Sequence, residues 1–162
     1  MSRPSARRAE LLEQLDRQAR RTGSVGAMHS RAIAGAAGLH SSDYECIDVL
    51  DWTGPITAGE LARRVGLTSG AITGVLDRLE RGNWVRRASD PRDRRRVVVE
   101  LLPPPIADPS HPVLQGFARL AQEIAEINED YTDDQLAAIV SWLTRANDAV
   151  ERNTLRLRGQ EP

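Results

Sequence analysis

Arginines crowd positions 92, 94, 95 and 96 inside the run Ser89-Asp-Pro-Arg-Asp-Arg-Arg-Arg96. About twenty residues earlier stand Thr68, Ser69, Gly70, Thr73, Gly74 and Arg78. Neither set suits bond-making chemistry, which needs a nucleophile, a base and an orienting group within reach. His29, His40 and His111 fall in unrelated segments, and no Gly-x-Ser-x-Gly, phosphate-loop or dinucleotide pattern occurs. An enzyme is therefore not expected, and neither is a cofactor, because no Cys/His cluster has metal-ligand spacing. What these residues can do is meet a polyanion. Hydroxyls bond base edges or phosphates, glycine allows close approach, and arginine at a loop tip suits the negative minor groove of DNA.

The elements that must hold them are legible nearby. Thr57 and Glu60 form the capping pattern T-x-x-E, so a helix starts at Thr57. Leu61, Ala62 and Val65 give it an inward stripe. Gly66 ends it in a sharp turn, and Leu67 pins that turn to the core. Thr68 or Ser69 opens a second helix, with Ile72, Val75, Leu76 and Leu79 as its buried face. The outer face then carries Ser69, Gly70, Thr73, Gly74 and Arg78. Gly70 and Gly74 cost helix stability, which is easier to understand if something must come close. Gly82 closes this helix. Trp84–Arg87 and Val97–Leu101 read as strands joined by the arginine-rich tip, with Asp90-Pro91 as turn chemistry. A solvated charged loop is the plainer reading of that tip, but its place beside a helix-turn-helix favours DNA. The class expected is mainly α with a small β wing: a winged helix-turn-helix flanked by N- and C-terminal dimerisation helices.

This stretch resembles the MarR family of bacterial transcription regulators. The likeness rests on GELARRVGLTSGAITGVLDRLERGNWV and DPRDRRRVVVEL, about a quarter of the chain, with weaker agreement in the flanking helices. The resemblance implies a homodimer on a pseudo-palindromic operator of double-stranded DNA. The second helix would read the major groove and the wing the flanking minor groove. The family's wing motif is Asp-x-Arg, whose arginine enters the groove while the aspartate orients it; here those positions are Asp93 and Arg95. The expected DNA-binding set is thus Thr68, Ser69, Gly70, Thr73, Arg78, Arg92, Asp93, Arg94, Arg95 and Arg96. The resemblance further implies repression relieved by a small-molecule effector, bound between the dimer helices and the winged unit. Met28, His29, Tyr44 and Trp52 are candidates to line such a pocket, but each also reads as ordinary packing.

The chain has 162 residues, a length for one compact domain. The expected division is N-terminal helices over 1–38, the winged unit over 42–102, and a connector with C-terminal helices over 103–162. Net charge is −1, yet residues 57–101 hold ten arginines and six acids. That segment therefore carries +4 and the remainder −5, so the positive field is local to the proposed DNA face. All 22 basic residues are arginine. Arginine-rich codon usage in a GC-rich genome explains this, so it is not evidence for DNA binding. No apolar run is long enough to cross a membrane and no signal peptide is evident, which makes the cytoplasm the simplest location.

Residues 5–22 form an amphipathic helix through Ala6, Leu11, Leu12, Leu15 and Ala19. Gly23-Ser24-Val25-Gly26 interrupts it, and 27–38 continue as a small-residue helix, giving one bent helix or two. Ser42-x-x-Glu45 is a second capping pattern, opening a helix through Trp52 with Tyr44, Ile47, Val49 and Leu50 as core. The lone Cys46 lacks basic neighbours and reads as structural rather than as a thiol sensor. After a proline-rich connector, Val113, Phe117, Leu120, Ile124 and Ile127 repeat in steps of four and three. Thr132-x-x-Gln135 caps a last helix with the stripe Leu136, Ile139, Val140, Leu143, Ala146 and Val150. This is more apolar helix than a small core needs, which points to a helical dimer interface. Two other readings keep the fold: an architectural DNA binder without effector, and a winged helix that binds protein, which would want an exposed apolar recognition face.

Overall fold

The computed structural model describes residues 5–90, 93 and 95–159. Its elements run α1 (Ala6–Ala36), α2 (Ser41–Thr53), β1 (Ile56–Thr57), α3 (Ala58–Val65), α4 (Ser69–Arg81), β2 (Val85–Ser89), β3 (Val97–Leu101), α5 (Pro112–Asn128) and α6 (Asp133–Leu157). The strands form one antiparallel sheet in the order β1-β3-β2. Among the described residues, no helix is long and apolar enough to cross a membrane.

The core gathers where α2, α3, α4 and the sheet meet. Cys46, Ile47 and Leu50 come from α2, Leu61 and Ala62 from α3, and Ile72, Val75, Leu76 and Leu79 from α4. Val85 and Val99 close it from the strands. The apolar spacing of α3 and α4 therefore faces inward as their periodicity predicts. Val49 is half-buried against this cluster, while Tyr44 turns to a cavity outside it.

Three local expectations are corrected. First, α1 is one unbroken helix of 31 residues through Gly23–Gly26. Two glycines cost about 2 kcal/mol together, but neither removes a backbone donor as proline would. The hydroxyls of Thr22 and Ser24 return to the carbonyls of Gln18 and Arg20 at 3.0 and 3.2 Å. Second, the Ser42–Glu45 cap does not form. The N-cap falls two residues earlier, on His40, with no side-chain bond, and Ser42 donates to Asp43 at 3.4 Å. Third, the short β1 pairs Ile56 with Val99 and Thr57 with Val98, adding a third strand that two residues give no periodicity to reveal. Gly82 closes α4 as expected, with φ −82°, and the left-handed position follows it on Asn83 (φ 58°). Gly82 is needed for closeness instead: a Cβ there would sit 2.9 Å from the Trp84 ring.

Pro112, read from the sequence as the end of the connector, opens α5, where its missing N–H costs nothing, and His111 Nδ1 accepts from Val113 N–H at 3.3 Å. At α6, Thr132 accepts from Gln135 N–H and Gln135 Oε1 accepts from Thr132 N–H, a complete capping box. Along α1, α5 and α6 the apolar stripes lie open; Ile127 is 52 % exposed and Val140 62 %.

Candidate nucleic-acid interface

The helix-turn-helix is built by short-range chemistry. Thr57 accepts from Glu60 N–H at 3.2 Å. The reciprocal half of that box is missing, because the Glu60 carboxylate is held by Arg63 and Arg64 at 2.7–3.1 Å. Those two arginines, and the Arg63 bond foremost, hold the Glu60 carboxyl below its usual range. Gly66 takes φ +85°, a left-handed conformation, and its N–H returns to Ala62 O. Thr68 then caps α4, accepting from Ala71 N–H at 3.3 Å.

The outward face of α4 is as the sequence predicts. Ser69, Gly70 and Thr73 are exposed. The Thr73 hydroxyl bonds Ser69 O at 3.0 Å, so it has a local partner while its face stays open. A Cβ at Gly70 would meet nothing within 4 Å. No internal packing asks for glycine there.

Arg78 is placed differently from its α4 companions. Its Nε and Nη2 donate to Asp43 Oδ2 and Oδ1 at 3.0 and 2.5 Å. That hydrogen bonding holds the Arg78 pKa above its ordinary value. The sequence offered no hint of this partner, since an acid in the first turn of α2 reads as a solvated helix start.

At the wing, Asp93 Oδ1 accepts from Arg95 N–H at 3.0 Å, and Asp93 O accepts from Arg96 N–H at 2.9 Å. Arg96 O in turn accepts from Asp90 N–H, closing the turn. Arg95 and Arg96 are exposed, and neither guanidinium is ion-paired among the described residues. Arg92 and Arg94 lie outside the described residues. The wing base is fastened to α4: Arg87 binds Asp77 at 2.9 Å and also Glu80, whose Oε1 accepts from Arg87 N–H. Arg86 is occupied by Glu100 across the strands at 2.7 Å. These clamps were not foreseen, since alternating acids and arginines read equally well as solvated charge.

α6 reaches the same unit. Arg158 Nη1 donates to the carbonyls of Arg63 and Arg64 at 3.2 and 2.9 Å, satisfying the open end of α3. Glu151 pairs with Arg64, whose guanidinium lies 5.1 Å over the Trp52 ring. Cys46 is fully buried, and burial, with Asp43 and Glu45 adding to it, pushes its thiol up to about 12. Such a thiol carries almost no thiolate at neutral pH. Of the four pocket candidates, Tyr44 lines a cavity between α1, α2, β3 and α5, while His29 and Trp52 line other hollows and Met28 is exposed.

A capped helix-turn-helix with an arginine-tipped wing defines a winged-helix DNA-binding regulator. Residues 39–97 match the model of the MarR family. The uncharacterized HTH-type transcriptional regulator YcgE of Bacillus subtilis is 35 % identical over 93 % of this chain and 96 % of its own. The multiple antibiotic resistance protein MarR of Salmonella typhimurium is 33 % identical over 62 % of this chain and 68 % of its own. The crystal structure of transcriptional regulator Tm0710 from Thermotoga maritima shares the fold, with TM-score 0.53 and 22 % identity over 88 % of this chain and 97 % of that one. The chain belongs to the MarR family. It is a transcription regulator, not an enzyme.

Proposed function

We propose that the chain is a dimeric, sequence-specific repressor that binds a pseudo-palindromic operator and is released by a small molecule. The observation that carries this is the outer face of α4. Ser69, Gly70 and Thr73 are exposed, and Gly70 spends helix stability that no internal contact returns. The contact set we propose is Thr68, Ser69, Gly70 and Thr73 in the major groove, with Arg95 and Arg96 in the minor groove and Asp93 shaping their turn. Arg92 and Arg94 belong to the same tip by sequence. Arg78 joins the set as the residue that holds α4 to α2.

Dimerisation is supported by the open apolar stripes of α1, α5 and α6, in the N-terminal (1–38) and C-terminal (103–162) regions. Two copies would space their recognition helices about one DNA turn apart, ~34 Å. A cavity between the helical region and the wing base supplies room for an effector.

The test is binding to the duplex upstream of the chain's own gene against a shuffled duplex of equal length, with salt varied. A large ratio that survives moderate salt is the expected result. Equal binding that collapses with salt would replace specific regulation with an architectural role. No binding to either would move the partner to protein. Light scattering should return twice the chain mass of 17.9 kDa.

A further inference from the structure

The chemistry of the effector can be read from the cavity itself. Its volume is about 270 Å³, room for one substituted aromatic ring. Trp84, Leu101, Phe117 and Ile33 give it apolar and aromatic walls. Its other polar side chains are Tyr44, Asp48 and Asp51, and among the described residues no basic one lines it. These three stand at steps of four and three along α2, one face of one helix.

Two solvent-exposed carboxylates thus stand at the edge of a mostly apolar space whose described lining holds no cation. Neither forms an ion pair among the described residues. Arg31 lines an adjoining hollow with Tyr44 and Asp48 but pairs with neither acid. The crowding is visible in the protonation of Asp48 and Tyr44. Burial first, and then Asp51, raises the Asp48 carboxyl above its usual range. Tyr44 is raised by burial, then by Asp48 and Asp51. A bound anion would add a further negative charge, and a neutral ligand would leave the repulsion in place. A cation would relieve it, and aromatic walls hold cations well.

We propose that this cavity binds a lipophilic organic cation, an aryl ammonium whose charge faces Asp48 and Asp51 and whose ring packs on Trp84 and Phe117. The site joins β3 and Trp84, at the base of the wing, to α5 in the helical region. A ligand there favours whichever relative placement of the two it fits best. Its consequence for DNA release rests on the regulator reading above; its binding does not.

The test is titration calorimetry of the full chain with benzyltrimethylammonium, 2-phenylethanol and phenylacetate. The cation should bind at least about tenfold tighter than the other two, about 1.4 kcal/mol. The preference should shrink with salt, and it should vanish in the Asp48→Asn/Asp51→Asn protein. Phenylacetate or 2-phenylethanol binding as tightly as the cation would overturn the proposal. So would a preference that survives in the folded double variant. Should that variant not fold, the three ligands on the unaltered chain, with the salt series, still decide. DNA binding of the ligand-free chain is read separately. A chain that takes the cation but never binds DNA keeps the site and loses the regulator reading. A chain that binds its operator but prefers phenylacetate does the reverse.

Discussion

The Asp43 carboxylate is 2 % exposed and is met on both oxygens by Arg78, 35 residues along the chain. This pair ties the first turn of α2 to the last turn of the recognition helix. Its two ends are not equivalent, because the Arg78 side chain is 41 % exposed and the Asp43 side chain 3 %. Removing the arginine strands a buried charge, whereas neutralising the aspartate frees a guanidinium that can reach water. Arg78→Met should therefore lower the melting temperature more than Asp43→Asn, and the double variant should recover part of the loss. Equal losses would mean that the burial asymmetry has no energetic weight. Operator affinity adds a second reading. If Arg78 positions α4, Asp43→Asn weakens binding as Arg78→Met does. If Arg78 touches DNA directly, Asp43→Asn releases it and affinity holds or rises.

The wing gives a paired prediction. Arg95→Ala should weaken operator binding by about 1–3 kcal/mol with thermal stability unchanged. Asp93→Ala removes the acceptor of Arg95 N–H, so it too should weaken binding, through the turn rather than through charge. Fluorescence anisotropy on one labelled duplex measures both. Unchanged affinity for Arg95→Ala would remove that arginine from the mechanism.

Gly66 and Gly70 should respond in opposite ways. At Gly66 the φ of +85° strains any side chain, and a Cβ would meet the Arg158 guanidinium at 2.6–2.8 Å. Arg158 can swing aside, so the backbone term dominates, and Gly66→Ala should cost about 1–2 kcal/mol in denaturant unfolding. At Gly70 a Cβ meets open space, so Gly70→Ala should stabilise the fold by up to about 1 kcal/mol. The same change should weaken DNA binding if the helix must approach closely. A Gly70→Ala chain that binds its operator as well as the parent would end the close-approach reading.

Cys46 sets an alkaline limit. Its folded pKa is pushed up to about 12 from an ordinary thiol value of 9.0. The neutral thiol is the form that the fold favours. Its contribution is fully present below pH 9.0 and is lost as pH rises through about 12. The gap in melting temperature between the parent and Cys46→Ala should therefore narrow across that window. Peroxide should leave DNA binding intact near neutral pH. Release of DNA by peroxide that is abolished in Cys46→Ser would show a reactive thiol instead.

Much of the interface was readable because its causes lie within a few residues. Thr57, Gly66 and Thr68 act on backbone groups three or four positions away. The stripes of α3 and α4 repeat at the helical period, so their buried faces follow directly. The Asp93–Arg95 bond spans two residues. Local signals also misled. Ser42-x-x-Glu45 had the spacing of a cap, but Ser42 turned to Asp43, which in turn serves Arg78. Gly23 and Gly26 resembled a break, but nothing competes there with the helical ladder.

The sequence by itself determined the order of helices and hairpin, the inward faces of α3 and α4, and the family to which they belong. These depend on caps, glycines and apolar periods that act over one or two turns. Only the tertiary structure decided where charge would be spent. Arg78 went to Asp43, Arg87 to Asp77 and Glu80, and Arg158 to the open end of α3, while Arg95 and Arg96 form no ion pair among the described residues. It also decided that the exposed Asp48 and Asp51 would edge an apolar cavity with no cation in its described lining. The reason is physical. A helix is specified by neighbours along the chain, but desolvation and ion pairing depend on what packing brings from 35 or 94 residues away.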